Sequence, residues 1–280
     1  PEFCNRDLGD LPETWATYVS YFAAPTEIEP EAARLRFGQW HVKGSVGFDA
    51  VELAPAVPVY ARAEDAELGE GESLAGNEYA FVTPHDGPSR NHSRPLAGAN
   101  CAFNTDRWVM GEGSFVEYRY RVETRNWTAF ETGAAVTWHA AGEIAVRARL
   151  PGGEWRDLGA IGKLETGAFA VPAEWLPAAE IEVRLEGRGK GCSLQVGGAG
   201  ARGTLDGEPV KLTGATRFVA VLETDPRLRV TVAGLGDLRP GGEAGARLRV
   251  LNRSRANVAV GRVGIAGGGG IEIRPGEERD

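Results

Sequence analysis

The feature that most restricts the fold of this chain is the alternation of apolar and polar residues over short stretches. In residues 33–37, small and apolar side chains fall on one side of an extended chain and two arginines on the other. No segment shows apolar residues at i, i+3, i+4 and i+7 over three helical turns. The 39 glycines indicate many tight turns. The pattern predicts an all-β protein of tandem antiparallel β-sandwiches, jelly-roll and immunoglobulin-like, with little helix.

Turn residues and charge divide the chain into three predicted domains. Residues 1–60 close with two prolines, which cannot donate a ladder hydrogen bond, and are predicted to be the C-terminal part of a truncated jelly roll. Residues 61–216 are predicted to form a second β-sandwich, entered through an acidic linker at 61–76. Residues 217–280 hold too few strands to close a sandwich, so we expect a partial immunoglobulin-like domain.

Candidate strands can be read in each predicted domain. In the first they are WATYVSYFAAP, ARLRFGQW and HVKGSVGFDAVELAP, and in the third RLRVTV and ARLRVLN are joined through LRPGGE. In the second they are EYAFVTP, FVEYRYRVE, AAVTWHA, EIAVRARL, EWRDLGAI, EIEVRLEG, CSLQVGG, ARGTLD and PVKLTG. The stretches PGGEW and LDGEP are hairpin signals between strands of this set.

Charge and hydropathy argue against two classes of partner. The net charge is −8 and there is no cluster of lysine and arginine, so nucleic-acid binding is not expected. No apolar run approaches the ~20 residues that a membrane-spanning helix needs, so membrane insertion is not expected either. The three cysteines show no zinc spacing. They suit buried free thiols or a disulfide between Cys101 and Cys192.

The densest group of polar and aromatic residues lies at 90–113, between glycines. Sugar recognition needs an aromatic face that stacks on a pyranose and planar polar groups that bind two hydroxyls at once, and this stretch has both. The same residue types also cap turns and fill cores. Trp138 and Trp155 lie on strands and are predicted to be core residues, whereas Trp127 is placed as a surface platform or a loop anchor. The candidate carbohydrate contacts are Asn91, Arg94, Asn104, Arg107, Trp108 and Trp127.

Catalytic motifs find no support in the sequence. There is no G-x-S-x-G elbow, H-E-x-x-H helix or P-loop. Residues 198–203 fit G-x-G-x-x-G but continue into a hairpin, not into the helix that would hold a phosphate. The chain is therefore predicted not to be an enzyme.

One stretch carries a family resemblance. The ending ARLRF…GSVGFDAVELAP resembles the last strands of carbohydrate-binding modules with a galactose-binding-like jelly roll, through Phe48, Asp49, Val51, Glu52 and Leu53. That resemblance implies a structural calcium with Asp49 as a ligand, although Ala50 stands where the family has a second aspartate. No other cofactor is expected. The middle domain is similar to galactose-binding-like or discoidin-type sandwiches, and the third to immunoglobulin-like spacers of bacterial surface proteins and glycoside hydrolases.

The resemblance implies a function. We expect a non-catalytic carbohydrate-binding accessory region, covalently linked to further domains of a secreted or surface bacterial protein, in an extracellular, cell-surface or periplasmic location. Its partner would be a polysaccharide or glycan, and the parent protein a glycoside hydrolase. Two alternatives remain open: a structural spacer or adhesion segment without a ligand, and a part of a hydrolase or polysaccharide lyase.

Overall fold

The computed structural model of the chain describes residues 4–25, 34–38, 44–49, 51 and 53–220, and the backbone of five short strands beyond residue 227. These residues fall into two compact units. The first contains the described residues of Pro1–Thr26 and Val59–Arg217. The second contains those of Glu27–Pro58, Phe218–Gly234 and Ala246–Asp280.

Fourteen strands and one short 3-10 turn, Ala173–Trp175, lie between residues 56 and 220. The strands are β1 (Ala56–Ala63), β2 (Ala66–Leu68), β3 (Glu72–Gly76), β4 (Glu78–Val82), β5 (Leu96–Ala99), β6 (Ala102–Asn104), β7 (Arg107–Gly111), β8 (Phe115–Tyr120), β9 (Trp127–Arg149), β10 (Arg156–Ile161), β11 (Thr166–Ala170), β12 (Ile181–Leu205), β13 (Val210–Thr213) and β14 (Thr216–Ala220). Among the described residues no helix is long and apolar enough to cross a bilayer.

Two long strands organise the first unit. β9 has 23 residues and β12 has 25, and they pair antiparallel from Glu182 opposite Arg149 to Leu205 opposite Trp127. Along β12, the first part also pairs with β8, the middle with β7 and the last part with β4. The outer strands complete an eleven-stranded, curled antiparallel sheet, and β1, β2 and β14 form a separate small sheet. The predicted all-β, sandwich-like class is confirmed.

Both long strands pass through glycines, where the sequence suggested that separate strands ended. Gly142 lies inside β9 with a φ of 81°, and a Cβ there would lie 2.5 Å from the carbonyl oxygen of Arg188. A Cβ on Gly187 would lie 2.1 Å from the carbonyl oxygen of Gly111. Gly142 therefore allows β9 to approach β12 closely where their pairing shifts register, and Gly187 allows β12 to approach the end of β7. The predicted strands AAVTWHA and EIAVRARL form one strand for this reason.

The largest buried side chains of the core are aromatic and pack against one another between strands. Phe81 of β4 packs against Tyr118 and Tyr120 of β8, with ring centroids 6.0 and 5.8 Å apart. Tyr79, one pleat away, packs edge-on against Trp127 at 5.0 Å. Alternate residues of these strands point outward, so the predicted in-and-out pattern holds where strands have partners on both sides.

The segment 61–76 is not a linker. It forms the end of β1 and all of β2 and β3, and Ala66, Leu68 and Leu74 are buried. Few apolar residues suffice here because they fall on the inward positions of short strands. The LDGEP hairpin is also wrong, because β13 pairs with β3 and not with β12.

The strands predicted before residue 54 are not present in the described residues 15–25, 34–38 and 44–49. Leu35, Phe37 and Phe48 are exposed there, and Phe37 and Phe48 contact each other at 5.0 Å between ring centroids. In these described residues, an alternating sequence is not accompanied by strand structure.

The remaining strands lie in the second unit. They are β15 (Leu228–Ala233), β16 (Arg247–Asn252), β17 (Val258–Val260), β18 (Ile271–Ile273) and β19 (Glu278–Arg279). β15 pairs antiparallel with β16 over its full length, β16 pairs with β19, and β17 pairs with β18. The strands predicted in RLRVTV and ARLRVLN are confirmed.

Candidate functional site

The predicted polar stretch 90–113 spans a turn and the strands β5, β6 and β7. Asn91 lies in the turn, is only 4% exposed, and both atoms of its amide bind the backbone of Ala23. Its side chain is therefore already engaged by the chain itself. A sugar could bind this amide only by displacing Ala23.

Arg94 is also engaged inside the protein. Its guanidinium donates to both oxygens of the Glu72 carboxylate, at 2.7 and 2.5 Å. The same carboxylate accepts hydrogen bonds from the Gly69 amide and the Tyr79 hydroxyl, each at 2.7 Å. Burial first, and then the charge of Glu72, raise the pKa of Tyr79 well above its usual value. Arg94 is thus half of a buried ion pair, which corrects its prediction as a sugar contact.

The two tryptophans predicted to contact sugar are core residues. Trp108 is 1% exposed and its indole N–H donates to the Tyr118 hydroxyl, at 3.2 Å. Trp127 is 0% exposed and its indole N–H donates to the carbonyl oxygen of Tyr120, at 3.2 Å. Neither indole has a free face for stacking on a pyranose. The stacking role is corrected for both residues.

Trp138, which the sequence placed in the core, is exposed in the structure. Its side chain is 45% exposed on β9. It lies opposite Gln195 of β12, at a point where the pairing of β9 with β12 shifts register next to Val136. The extra residue breaks the alternation, so Val136 points inward and Trp138 outward. Periodicity in the sequence does not reveal such a bulge.

Asn104 and Arg107 lie on the same outward face as Trp138. One row across the sheet contains Trp138, Gln195, Val109 and Ala102. The next outward row contains Arg107 opposite Asn104, since Trp108 and Phe103 between the two rows point inward. We call the outward side chains of Trp138, Gln195, Val109, Asn104 and Arg107 the Trp138 face.

The size of the Trp138 face follows from strand geometry. Neighbouring strands are ~4.8 Å apart, and β9, β12, β7 and β6 lie side by side, so the face is roughly 15 Å across. An indole stands at one end, and an amide and a guanidinium at the other. Such a face suits an elongated ligand that lies along the sheet surface.

The turn between β6 and β7 has unusual backbone geometry. Thr105 has a φ of 59°, which is an outlier for a β-branched residue. The Asp106 amide donates to the carbonyl oxygen of Asn104 at 2.7 Å, which closes a tight three-residue turn. Arg107 forms an ion pair with Asp106 at 2.9 Å. The turn therefore fixes the direction in which the side chains of Asn104 and Arg107 project from the sheet.

A second outward face, on β8, β12, β9 and β10, is covered by ion pairs. Trp155 is half-buried there, with the guanidinium carbons of Arg149 and Arg184 at 4.3 and 4.8 Å from its ring centroid. The pairs are Arg119 with Glu180 and Glu182, Arg147 with Asp157 and Glu186, Arg149 with Glu182, Arg184 with Glu117, and Arg188 with Asp157 and Glu186. Each of these charged groups has an ion-pair partner, so none of them is an unpaired charge that could bind a ligand.

The predicted metal ligand and cysteine pairing find no geometric support. Asp49 is exposed and belongs to the second unit, whereas the residues of the Trp138 face belong to the first. Within the described part of the chain no group of three or more His, Cys, Asp or Glu side chains is placed to hold a metal ion. Cys101 and Cys192 are buried free thiols, so the disulfide alternative is wrong. Burial raises the pKa of Cys101 to about 12.

Comparison of the chain with protein-family models, curated proteins and solved structures finds no match.

Proposed function

We propose that the first unit is a non-catalytic glycan-binding module and that the Trp138 face is its binding surface. The observation that carries the proposal is the exposed indole of Trp138 on the same sheet face as Gln195, Asn104 and Arg107. In this proposal the chain is an accessory region of a larger exported protein, and a polysaccharide is its partner.

The chemistry of the Trp138 face fits a sugar chain. A pyranose presents a patch of C–H bonds that stacks on an indole, while its hydroxyls both donate and accept hydrogen bonds. Asn104 and Gln195 offer amide donors and acceptors, and Arg107 offers donors only. A surface roughly 15 Å across gives room for more than one sugar unit.

The charge on the Trp138 face favours a neutral glycan. Arg107 is paired with Asp106, and their side chains are similarly exposed, at 37% and 43%. The face therefore presents polar groups without a net charge from this pair. A uronate or sulfate would have to compete with Asp106 for the guanidinium.

The proposal is tested by affinity electrophoresis of the full chain through gels that contain neutral polysaccharides such as xylan, β-glucan or galactomannan. We expect at least one polymer to retard the chain. Trp138→Ala should lower the affinity about tenfold, because aromatic stacking contributes up to about 1.5 kcal/mol beyond the apolar area that it buries. Trp155→Ala is the matched control, since Trp155 lies on the ion-paired second face, and it should leave retardation unchanged.

Three other outcomes would lead to different conclusions. If no polymer retards the chain, the unit is a spacer. The ion-paired second face would then be an ordinary solvent-exposed surface of that spacer. If Trp138→Ala and the unchanged chain are retarded alike, glycan binds elsewhere. Turnover of a polymer would make the chain an enzyme.

A further inference from the structure

The imidazole ring of His85 is buried beneath β6 and β7. His85 lies in the turn between β4 and β5 and is 4% exposed. Its ring packs edge-on against Phe103 of β6 and Trp108 of β7, with ring centroids 5.1 and 6.0 Å apart. Both of these side chains point inward. His85 therefore lies on the inner side of the two strands whose outer side carries Asn104 and Arg107.

The same ring binds β12 through a hydrogen bond. Its Nδ1 lies 3.3 Å from the carbonyl oxygen of Gly197. Because a carbonyl oxygen only accepts hydrogen bonds, Nδ1 carries the proton of the neutral ring. Gly197 is the extra residue of β12 where its pairing with β9 shifts register between Val196 and Gly198. An extra residue interrupts the ladder of a sheet, and His85 binds the carbonyl group of this one.

The extra residue of β12 adjoins the bulge that turns Trp138 outward. In β9 the extra residue is Thr137, which precedes Trp138. A Cβ on Gly197 would lie 2.5 Å from Cγ2 of Thr137, so the backbone of one extra residue lies directly against the side chain of the other. His85 therefore connects the irregular part of the sheet beside Trp138 with β6 and β7.

Burial makes the neutral form of His85 the favoured one. Burial, the largest cause, lowers the pKa of His85 below its usual value of 6.5. Hydrogen bonds to the backbone of Gly197 and Asp106, and the charges of Asp106 and Asp86, act in the opposite direction. The groups that β12, β6 and β7 place against the ring are uncharged. Because the folded pKa is lowered, the packed arrangement is fully stable above pH 6.5 and is destabilised as the pH falls below it.

We propose that His85 is a positioning residue of the Trp138 face and that protonation of its ring weakens glycan binding. The neutral ring holds β6, β7 and the extra residue of β12 in the arrangement that places Trp138 at one end of the face and Asn104 and Arg107 at the other. A charged ring requires hydration, which an almost fully buried side chain does not receive. This inference rests on the proposed function, because it concerns the regulation of the same glycan-binding face.

The proposal predicts how glycan affinity depends on pH. When only the neutral form of His85 is competent to bind, the apparent dissociation constant is the intrinsic one divided by the neutral fraction. The affinity should therefore be constant at high pH and fall by up to about tenfold for each pH unit below the pKa of His85. Because linkage is reciprocal, a saturating glycan should in turn lower the pKa of His85 further.

The test measures the affinity of the full chain for the polysaccharide that retards it, by isothermal titration calorimetry from pH 4.5 to pH 8, and the pKa of His85 by NMR. His85→Asn is the informative variant, because its amide can donate from the position of Nδ1 but does not titrate. This variant should bind as tightly as the unchanged chain at pH 8 and should lose the fall in affinity. Carboxylates titrate in both chains, so the ratio of the two affinities isolates the contribution of His85.

Two other histidines provide controls for a general response to acid. His92 is half-buried in the same turn, and burial lowers its pKa as well, but its ring binds the hydroxyl of Tyr60 on β1. His139 follows Trp138 on β9. His92→Asn and His139→Asn should each keep the fall in affinity. Circular dichroism checks that every chain is folded at each pH.

The proposal is overturned if the affinities of the unchanged and His85→Asn chains depend on pH in the same way. Should His85→Asn fail to fold, His85→Phe replaces it, because phenylalanine keeps the ring packing and cannot titrate. A second readout needs no glycan: the amide resonances of Thr105, Asp106 and Gly197 should shift with the pKa of His85. Amide resonances that do not follow the ring would also overturn the proposal. If no polymer binds at any pH, the proposed glycan-binding function fails instead, and these resonances alone decide whether His85 positions the turn.

Discussion

Glu72 and Arg94 meet inside the first unit, where the carboxylate of one and the guanidinium of the other form two parallel hydrogen bonds. The Glu72 side chain has no solvent exposure and that of Arg94 has 16%. A buried charge is tolerated only when it is paired and its other lone pairs are satisfied. Here the Gly69 amide and the Tyr79 hydroxyl supply the remaining partners. The acidic segment around Glu72 can therefore be folded into strands.

Removal of one partner should destabilise the protein strongly. We expect Arg94→Met to lower the free energy of unfolding by about 3 to 5 kcal/mol, because it leaves the buried Glu72 carboxylate unpaired. The double variant Glu72→Leu/Arg94→Met should recover much of this loss, since no charge is left in the core. Urea denaturation measures both. Arg107→Met, at an exposed ion pair, is the control and should change stability by less than ~1 kcal/mol. An equally small effect of Arg94→Met would show that the pair is not needed.

The tryptophans should separate into two classes by stability. Trp127→Ala should lower the free energy of unfolding by about 3 to 5 kcal/mol, because it leaves a cavity between Tyr79 and Phe130. Trp138→Ala should lower it by less than about 1 kcal/mol, since nearly half of the side chain is exposed. Denaturation with urea gives the two values under one condition. Similar losses for both variants would contradict the assignment of Trp138 to an outward face.

The sequence predicted the fold class because alternation survives in most of the strands that have partners. It did not predict how far the strands extend, because Gly142 and Gly187 look like breaks in a sequence and act as points of close approach in the structure. The sequence also predicts a linker at the acidic stretch 61–76. The ion pair that allows this stretch to fold into strands joins Glu72 to Arg94, 22 positions away, and cannot be recognised locally. Such long-range pairing leaves no local signal.

The candidate site was predicted only in part, for a related reason. Asn104 and Arg107 flank a hairpin turn, and both do lie on an outward face. Trp127 follows two polar residues, a pattern that is typical of a surface group. In the structure Asn126 binds Asp206 and Arg125 binds Asp65, and these hydrogen bonds hold the polar residues against the protein. A bulge in β9 turns Trp138 outward. Both differences depend on strand partners that are distant in sequence.

The ion pair between Asp65 and Arg125 should make stability depend on pH in acid. Hydrogen bonds from Arg125, and then from Thr124, lower the pKa of Asp65 from 3.8 to about 2. Because the folded pKa lies below the unfolded one, the pair stabilises the protein fully above pH 4 and the effect is lost as the pH falls from about 4 to about 2. Asp65→Asn should flatten the stability curve in this window. Urea titrations from pH 2 to pH 6 measure the slope.

A second acidic residue provides the comparison for that slope. Arg188 also lowers the pKa of Asp157, so Asp65→Asn/Asp157→Asn should flatten the acid branch further than either single variant. An acid branch that keeps its slope in the Asp65→Asn chain would contradict the assigned ion pair.

The turn at Thr105 should gain stability when its backbone strain is removed. A positive φ on a β-branched residue costs about 1 to 3 kcal/mol, whereas glycine adopts it freely but loses about 0.5 to 1 kcal/mol of chain entropy on folding. Thr105→Gly should therefore raise the free energy of unfolding by about 1 kcal/mol. Thr213→Gly, on β13 without a positive φ, is the matched control and should lower it by a similar amount. If the strained turn positions Asn104 and Arg107 for a sugar chain, the more stable Thr105→Gly protein should also be retarded less by the polysaccharide gel. A Thr105→Gly chain that is less stable than the unchanged one would show that the turn stores no strain.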